Sequence, residues 1–336
     1  MRTLKSLKVF SPCCAFGLAL ALTFVGCGDD SSSTSAPTSS SVPESSAIQQ
    51  DPTSSSGSLV PDGGSTPTSS SIAQPACGSV TFATTPGALA VAPDEDGFYD
   101  MGDVYKALPQ TSKVAFVIRH SKREKKNTGT ESQLTPIGIQ MAQTLGSKLV
   151  SEESFYYAST NFIRTRETCK NIAIGRGEGD VDVVTWDGID GGYFLTVPSD
   201  TLDALVSSRG GNPRYIAQYS YGVPYTNAEV AAVIPSYFYD FFERGNQFVN
   251  EVVVANMPSW KRVSILVSHD MLVEPLIVLA SNRTINLRIY ESPFRWVNYL
   301  SGIAVILDEA GSVTVLPVRG ADVGWMVIRD EIDESV

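Results

Sequence analysis

Two short apolar runs, Val114-Ala115-Phe116-Val117-Ile118 and Val263-Ser264-Ile265-Leu266-Val267, are of strand length and rich in β-branched residues. With hardly a polar position in either, neither run has a face suited to solvent, so both are predicted as central strands covered on both sides. Each ends in a polar residue followed by a histidine, Arg119-His120 and Ser268-His269, and each is followed by a helical pattern. That alternation predicts an α/β domain: a mostly parallel central sheet with helices on both faces, a three-layer sandwich. Ligands of such sheets bind beyond the carboxyl ends of the strands, where both histidines fall.

Other elements follow from the same patterning. Thr135 is a good N-cap and Pro136 suits the first helical position, so a helix is predicted over 136–150 with Ile137, Met141 and Leu145 as its inward stripe. Residues 155–158 read as a strand, 162–174 as a helix, and about 236–256 as a longer helix bearing Phe238, Phe241, Phe242, Phe248, Val249 and Val252. Residues 302–307 and 313–316, joined by Asp308-Glu309-Ala310-Gly311, predict a closing hairpin. The glycine- and tyrosine-rich stretch 210–225 suggests a lid or substrate wall.

The chain's 336 residues suffice for two domains, yet the first quarter is of another character. Residues 1–27 carry Arg2, Lys5 and Lys8, then an uncharged apolar run from Val9 to Val25, then Gly26-Cys27, the layout of an export signal. Leu22-Thr23-Phe24-Val25-Gly26-Cys27 resembles a bacterial lipoprotein signal, which implies lipidation of Cys27 and a membrane anchor. An ordinary secretory signal with Cys27 incidental is the alternative, and either exports the protein to the cell envelope, facing the periplasm or the cell surface. Residues 28–76 are Ser, Thr, Pro, Gly and Asp with few aliphatic side chains, too few to offset chain entropy, and read as a flexible tether. Folded sequence is expected over 77–327, followed by an acidic tail, 328–336.

Composition narrows the partners. A net charge of −11 and a pI near 4.7 argue against nucleic acid, whose phosphate backbone demands a basic face. Of five cysteines, Cys13 and Cys14 lie in the signal and Cys27 at its end, leaving Cys77 and Cys169 either to pair in an oxidising compartment or to remain two thiols.

The chain has only two histidines, and the patterning puts both at one end of the sheet. Buried structural histidines are the plain alternative; the arginines around them point elsewhere. Arg119 adjoins the first histidine, Arg123 follows it by three residues, and Arg164 opens the helix after the strand at 155–158. Guanidinium forks offer paired, permanently charged donors that fit phosphate oxygens.

Arg119-His120-Ser121-Lys122-Arg123 resembles the R-H-G-x-R signature of the histidine phosphatase superfamily, with serine in the usual place of glycine. Leu134-Thr135-Pro136-Ile137-Gly138 with Gln140-Met141-Ala142 is similar to its L-T-x-x-G-x-x-Q-A segment. Ser159-Thr160-Asn161-Phe162-Ile163-Arg164-Thr165-Arg166-Glu167-Thr168 is similar to its S-x-x-x-R-A-x-x-T segment, and Val267-Ser268-His269-Asp270 supplies the second histidine motif. The four motifs keep the family's order over roughly 113–280. The resemblance implies a phosphoglycerate mutase-like fold, a small phosphorylated substrate and no cofactor. It implies His120 as the nucleophile that becomes phosphohistidine, with Arg119, Arg123, Arg164 and His269 neutralising the phosphoryl group. Phosphoryl transfer needs little more than an in-line nucleophile and positive charge around the equatorial oxygens. Arginines beside His120 disfavour its protonation, whereas His269 facing a phosphate dianion is expected to lean toward its charged form.

The proton donor to the leaving alkoxide is open at this level. One branch of the family uses a carboxylate in a loop after the second conserved arginine, here Asp190 first and Asp187 close behind; the other uses the aspartate after the second histidine, Asp270. Lys122, Lys125 and Lys126 lie on the loop after His120 and read as solvated or as contacts for a polyanionic substrate. A metal held by the histidines and an aspartate is disfavoured because clustered arginines repel a cation. Two further readings share the residues: a phosphoglycerate mutase-like transferase, and a non-catalytic binding lipoprotein on a decayed phosphatase fold.

Overall fold

The computed structural model describes residues 82–124 and 128–328. The export signal, Cys27, the tether, Cys77, Lys125, Lys126 and the tail from 329 onward lie outside the described residues.

In chain order the elements are β1 (Tyr99–Asp100), α1 (Met101–Ala107), β2 (Lys113–Arg119), α2 (Pro136–Lys148), β3 (Tyr156–Ser159), α3 (Ile163–Arg176), β4 (Val184–Thr185), α4 (Ser199–Val206), α5 (Gly211–Tyr221) and α6 (Ala228–Ala231). There follow α7 (Phe241–Gln247), β5 (Val263–Ser268), α8 (Asp270–Ala280), β6 (Arg295–Val297), β7 (Ser301–Leu307), β8 (Val313–Arg319) and β9 (Trp325–Val327). Seven strands form one sheet in the order β1-β8-β7-β2-β5-β3-β4, and β6 pairs with β9 apart from it. Every pair in the large sheet is parallel except those made by β7, which runs antiparallel to β2 and β8. The expected hairpin is β7–β8, and the architecture is the mostly parallel, helix-covered α/β fold expected from the patterning.

Strand alternation produces the three layers. In β2, Val114, Phe116 and Ile118 point into one core with Leu145 of α2 and Ile172 of α3. Ala115 and Val117 point into the other, with Leu272 and Leu276 of α8. Both sides are apolar because both are covered, which is why the strand sequences showed no alternation.

Register then brings the two histidines together. Ile118 pairs with Val267 and Arg119 with Ser268 in the parallel β2/β5 ladder, and the His120 amide donates to the Ser268 carbonyl at 3.0 Å. Each histidine is therefore the first residue past its strand, on neighbouring strands.

Three expectations need correction. The stripe on α2 is not Ile137, Met141 and Leu145, since Ile137 is 56% exposed; the buried positions are Gly138, Ala142, Leu145 and Gly146. The cause is backbone contact between α2 and α3: a Cβ on Gly146 would come within 2.2 Å of the Ile172 carbonyl oxygen, and one on Gly175 within 2.1 Å of that of Gln143. Small residues, not a ridge of large ones, define that face. The long helix of 236–256 begins only at Phe241, because the Asp240 carboxylate caps it by accepting from the Glu243 amide at 2.9 Å, and it ends in a π-helical segment, Phe248–Val254. The stretch 210–225 is no lid: it forms α5, whose Tyr215, Ile216, Ala217 and Tyr221 are buried in the core, and none of it lines the cavity described next.

Candidate active site

At the carboxyl ends of β2, β3 and β5 lies a cavity of about 470 Å³, the size of a small-ligand site. Arg119, His120, Arg123, Arg164, Asp190, His269 and Asp270 all line it. Asp187 does not; it is exposed, opening the short helical turn whose carboxyl cap is Asp190.

His120 is 3% exposed, and its Nδ1 lies 2.7 Å from the Ser121 carbonyl oxygen. A carbonyl can only accept, so Nδ1 carries the proton and Nε2 keeps the lone pair in the neutral ring. Burial first, then the charge of Arg119 with that of Arg164, pushes His120 well below its ordinary value of 6.5. The ring is thus neutral and its tautomer fixed.

The serine in place of the motif's glycine is accommodated. The buried Ser121 hydroxyl donates to the Gly138 carbonyl at 2.6 Å and its amide donates to Thr168 Oγ1 at 3.0 Å. Gly138 is itself required by close approach, since a Cβ there would lie 2.0 Å from the Lys122 carbonyl oxygen. Two motifs separated in sequence are therefore locked together under His120.

Arg164, at the start of α3, donates to the Gly129 carbonyl at 2.8 Å and the Thr128 carbonyl at 3.2 Å, and places Nη2 3.3 Å from His269 Nδ1. A guanidinium can only donate, so His269 Nδ1 accepts and its Nε2–H faces Thr160 Oγ1 at 3.0 Å. Burial and then the Arg164 charge hold His269 well below 6.5, with Asp270 opposing. The protein's own groups therefore favour a neutral His269; the charged form expected opposite a phosphate needs the dianion to supply it. Burial, with Arg123 next, likewise lowers Arg164 to about 10, still far above neutrality. Arg164 lies over the Phe162 ring at 4.2 Å, and the same ring meets His269 edge-on at 4.6 Å.

Arg119 is clamped from several sides. It donates to the Val297 carbonyl at 2.6 Å, lies 4.4 Å over the Tyr299 ring and pairs with Asp270 Oδ2 at 3.1 Å. Trp296 Nε1 donates to that same oxygen at 3.1 Å. Burial pushes Asp270 up, but the charge of Arg119 and the hydrogen bond from Trp296 outweigh it and hold the carboxyl below its usual range. Asp190 is exposed, and its Oδ1 accepts from the Gly192 amide at 2.7 Å.

Several lining or supporting residues were not anticipated. Asp200 and Asp203 of α4 line the cavity; the sequence patterning assigned no element or role to that segment. Trp296, Val297 and Tyr299 carried no signal at all, because their role depends on where β6 folds back. Lys122 does not line the cavity. Cys169 is a buried thiol 3.4 Å from the Ala158 carbonyl oxygen.

Residues 115–288, over half of the chain, match the family model of the histidine phosphatase superfamily (branch 1), and the chain belongs to that superfamily. No curated protein matches it by sequence. Solved structures similar to it include a phosphoglycerate mutase from Bacillus anthracis, at 17% identity over 62% of this chain and 93% of that one, with a TM-score of 0.40. A mycobacterial glucosyl-3-phosphoglycerate phosphatase aligns at 14% identity over 63% and 100%, TM-score 0.38. A phosphoserine phosphatase from Entamoeba histolytica, in complex with 3-phosphoglyceric acid, aligns at 18% identity over 60% and 94%, TM-score 0.37.

Proposed function

We propose that the protein is an exported, metal-independent phosphomonoesterase that works through a phosphohistidine on His120. The observation that carries this reading is the His120 ring: neutral, with Nδ1 committed to the Ser121 carbonyl, in a cavity lined by Arg119, Arg123 and Arg164. In the first step Nε2 attacks phosphorus, the P–O bond to the alcohol breaks, and the alkoxide takes a proton. In the second, water attacks the phosphohistidine, loses a proton to the same acid–base group and releases inorganic phosphate. The arginines and His269 balance charge on the equatorial oxygens throughout.

Asp190 is the acid–base group in this proposal. It lines the cavity with an exposed carboxyl, Asp187 does not line it, and Asp270 is committed as a carboxylate to Arg119. The branch of the family that the chain matches also points to the loop carboxylate. Residues 1–27 direct export in this reading, and a lipid on Cys27 holds the domain at the membrane through the 28–76 tether.

Turnover of a generic aryl phosphate by the full-length chain, in chelator and beside His120→Ala, tests the reading. Metal-independent hydrolysis abolished by the substitution is the expected result. Absence of turnover on both aryl and sugar phosphates would favour the binding-lipoprotein alternative.

A further inference from the structure

The family-matched residues end at 288, and a turn that packs against the nucleophile comes after them, between β6 and β7. There Asn298 Oδ1 accepts from the Tyr299 amide at 2.8 Å, and Leu300 stands at φ 61°, in the left-handed region that favours glycine. Leu300 is fully buried and its strained backbone is held from two sides. Its amide donates to the Arg119 carbonyl at 3.1 Å, and its carbonyl accepts from the Gly320 amide at 2.9 Å. A leucine kept in that conformation fixes the direction in which the neighbouring Tyr299 leaves the chain.

The Tyr299 ring, 7% exposed, is shared by two groups of the site. The Arg119 guanidinium lies 4.4 Å from the ring centroid, and the His120 imidazole 5.9 Å from it at an interplanar angle of 46°. Other partners hold Arg119 within its own plane: Nη1 donates to the Val297 carbonyl and Nη2 pairs with Asp270. Two such bonds still allow the plane to swing about the line joining their acceptors. An aromatic face against the guanidinium opposes that swing, because a desolvated cation is attracted to the negative face of the ring.

We propose that Tyr299 is a positioning residue whose ring fixes the plane of the Arg119 guanidinium and packs against the His120 imidazole, so that phosphate-binding group and nucleophile are aimed at one phosphorus atom. The inference rests on the assignment of Arg119 to phosphate in the phosphatase reading, and adds a residue outside the four motifs. Loss of the ring is expected to weaken phosphate binding by about tenfold, the scale of a buried cation–π contact.

Calorimetric titration of the full-length chain with inorganic phosphate, which needs no turnover, tests this. Tyr299→Met, which fills the space without an aromatic face, should bind about tenfold more weakly, and Tyr299→Phe should stay within about threefold of the unsubstituted chain. A residue that only filled the core would lower Tm in Tyr299→Met and leave the phosphate affinity of the folded protein unchanged. That result overturns the inference, as does an equal loss in both variants or an absence of phosphate binding by the unsubstituted chain. Should Tyr299→Met not fold, the unsubstituted chain carries the test: the Nε–H NMR signal that disappears in Arg119→Lys should be displaced upfield by the ring, and an undisplaced signal overturns the inference. Phenyl phosphate turnover by the unsubstituted chain reports on the phosphatase reading separately. Ring-dependent phosphate binding without turnover removes that reading alone, and turnover with ring-independent phosphate binding removes the inference alone.

Discussion

Arg119 Nη2 and Asp270 Oδ2 stand 3.1 Å apart, and the indole of Trp296 binds the same oxygen at 3.1 Å. An aspartate tied to a guanidinium and an indole N–H is a poor proton donor, because both partners stabilise the carboxylate. Its consequence is mechanical: it holds one phosphate-binding arginine in place.

Asp190 and Asp270 should therefore separate by leaving group. Asp190→Asn is expected to cut kcat/KM by roughly 10²–10⁴ on an alkyl phosphate, whose alkoxide needs a proton, and by much less on p-nitrophenyl phosphate. Asp270→Asn should slow both esters by a similar factor, since it disturbs Arg119 and not the proton. Steady-state kinetics on the two esters checks this, and a leaving-group effect confined to Asp270→Asn would reverse the assignment.

The two histidines are the chain's only ones, so their ring signals can be followed by NMR without crowding. Neither is expected to titrate near 6.5, because burial and the neighbouring arginines lower both. The unfolded chain takes up these protons near 6.5 and the folded chain refuses them, so stability from the neutral rings is full above that pH and is lost as pH falls toward the folded values. Thermal scans should show Tm declining on acidification below 6.5, a slope weakened in His120→Asn and His269→Asn. A ring titrating at its ordinary value would contradict the electrostatics described for the site.

Glu274 of α8 gives the opposite slope. It is fully buried, accepts from the Ser220 hydroxyl at 2.8 Å and has a second oxygen without a partner; burial raises it to about 8. Its neutral form contributes fully below the ordinary 4.5, and that contribution is lost as pH rises through about 8. Glu274→Gln should raise Tm by several degrees at about pH 9 and change it little at about pH 5, the gap corresponding to a few kcal/mol. Equal shifts at both pH values would mean that the carboxyl ionises freely in the folded protein.

The parts of the site that were legible in sequence are those carried by local pattern. Buried strands gave unbroken apolar runs, so the polar Arg119-His120 and Ser268-His269 stood out at their ends. What stayed hidden depends on register and on distant segments. The Arg119–Asp270 pair needs β2 and β5 adjacent and in phase, and the Trp296 indole arrives from a strand outside the main sheet. The inward face of α2 was misjudged because Gly146 and Gly175 substitute backbone contact for apolar bulk, which periodicity cannot register.

Both steps of the proposed turnover pass through a covalent bond to His120. That bond can be trapped by rapid acid-free quenching of the full-length chain during turnover of a labelled phosphomonoester, followed by peptide mapping. One acid-labile, alkali-stable phosphoryl group is expected on His120, and none in His120→Ala. Undiminished turnover by His120→Ala, or label on another residue, would contradict that route.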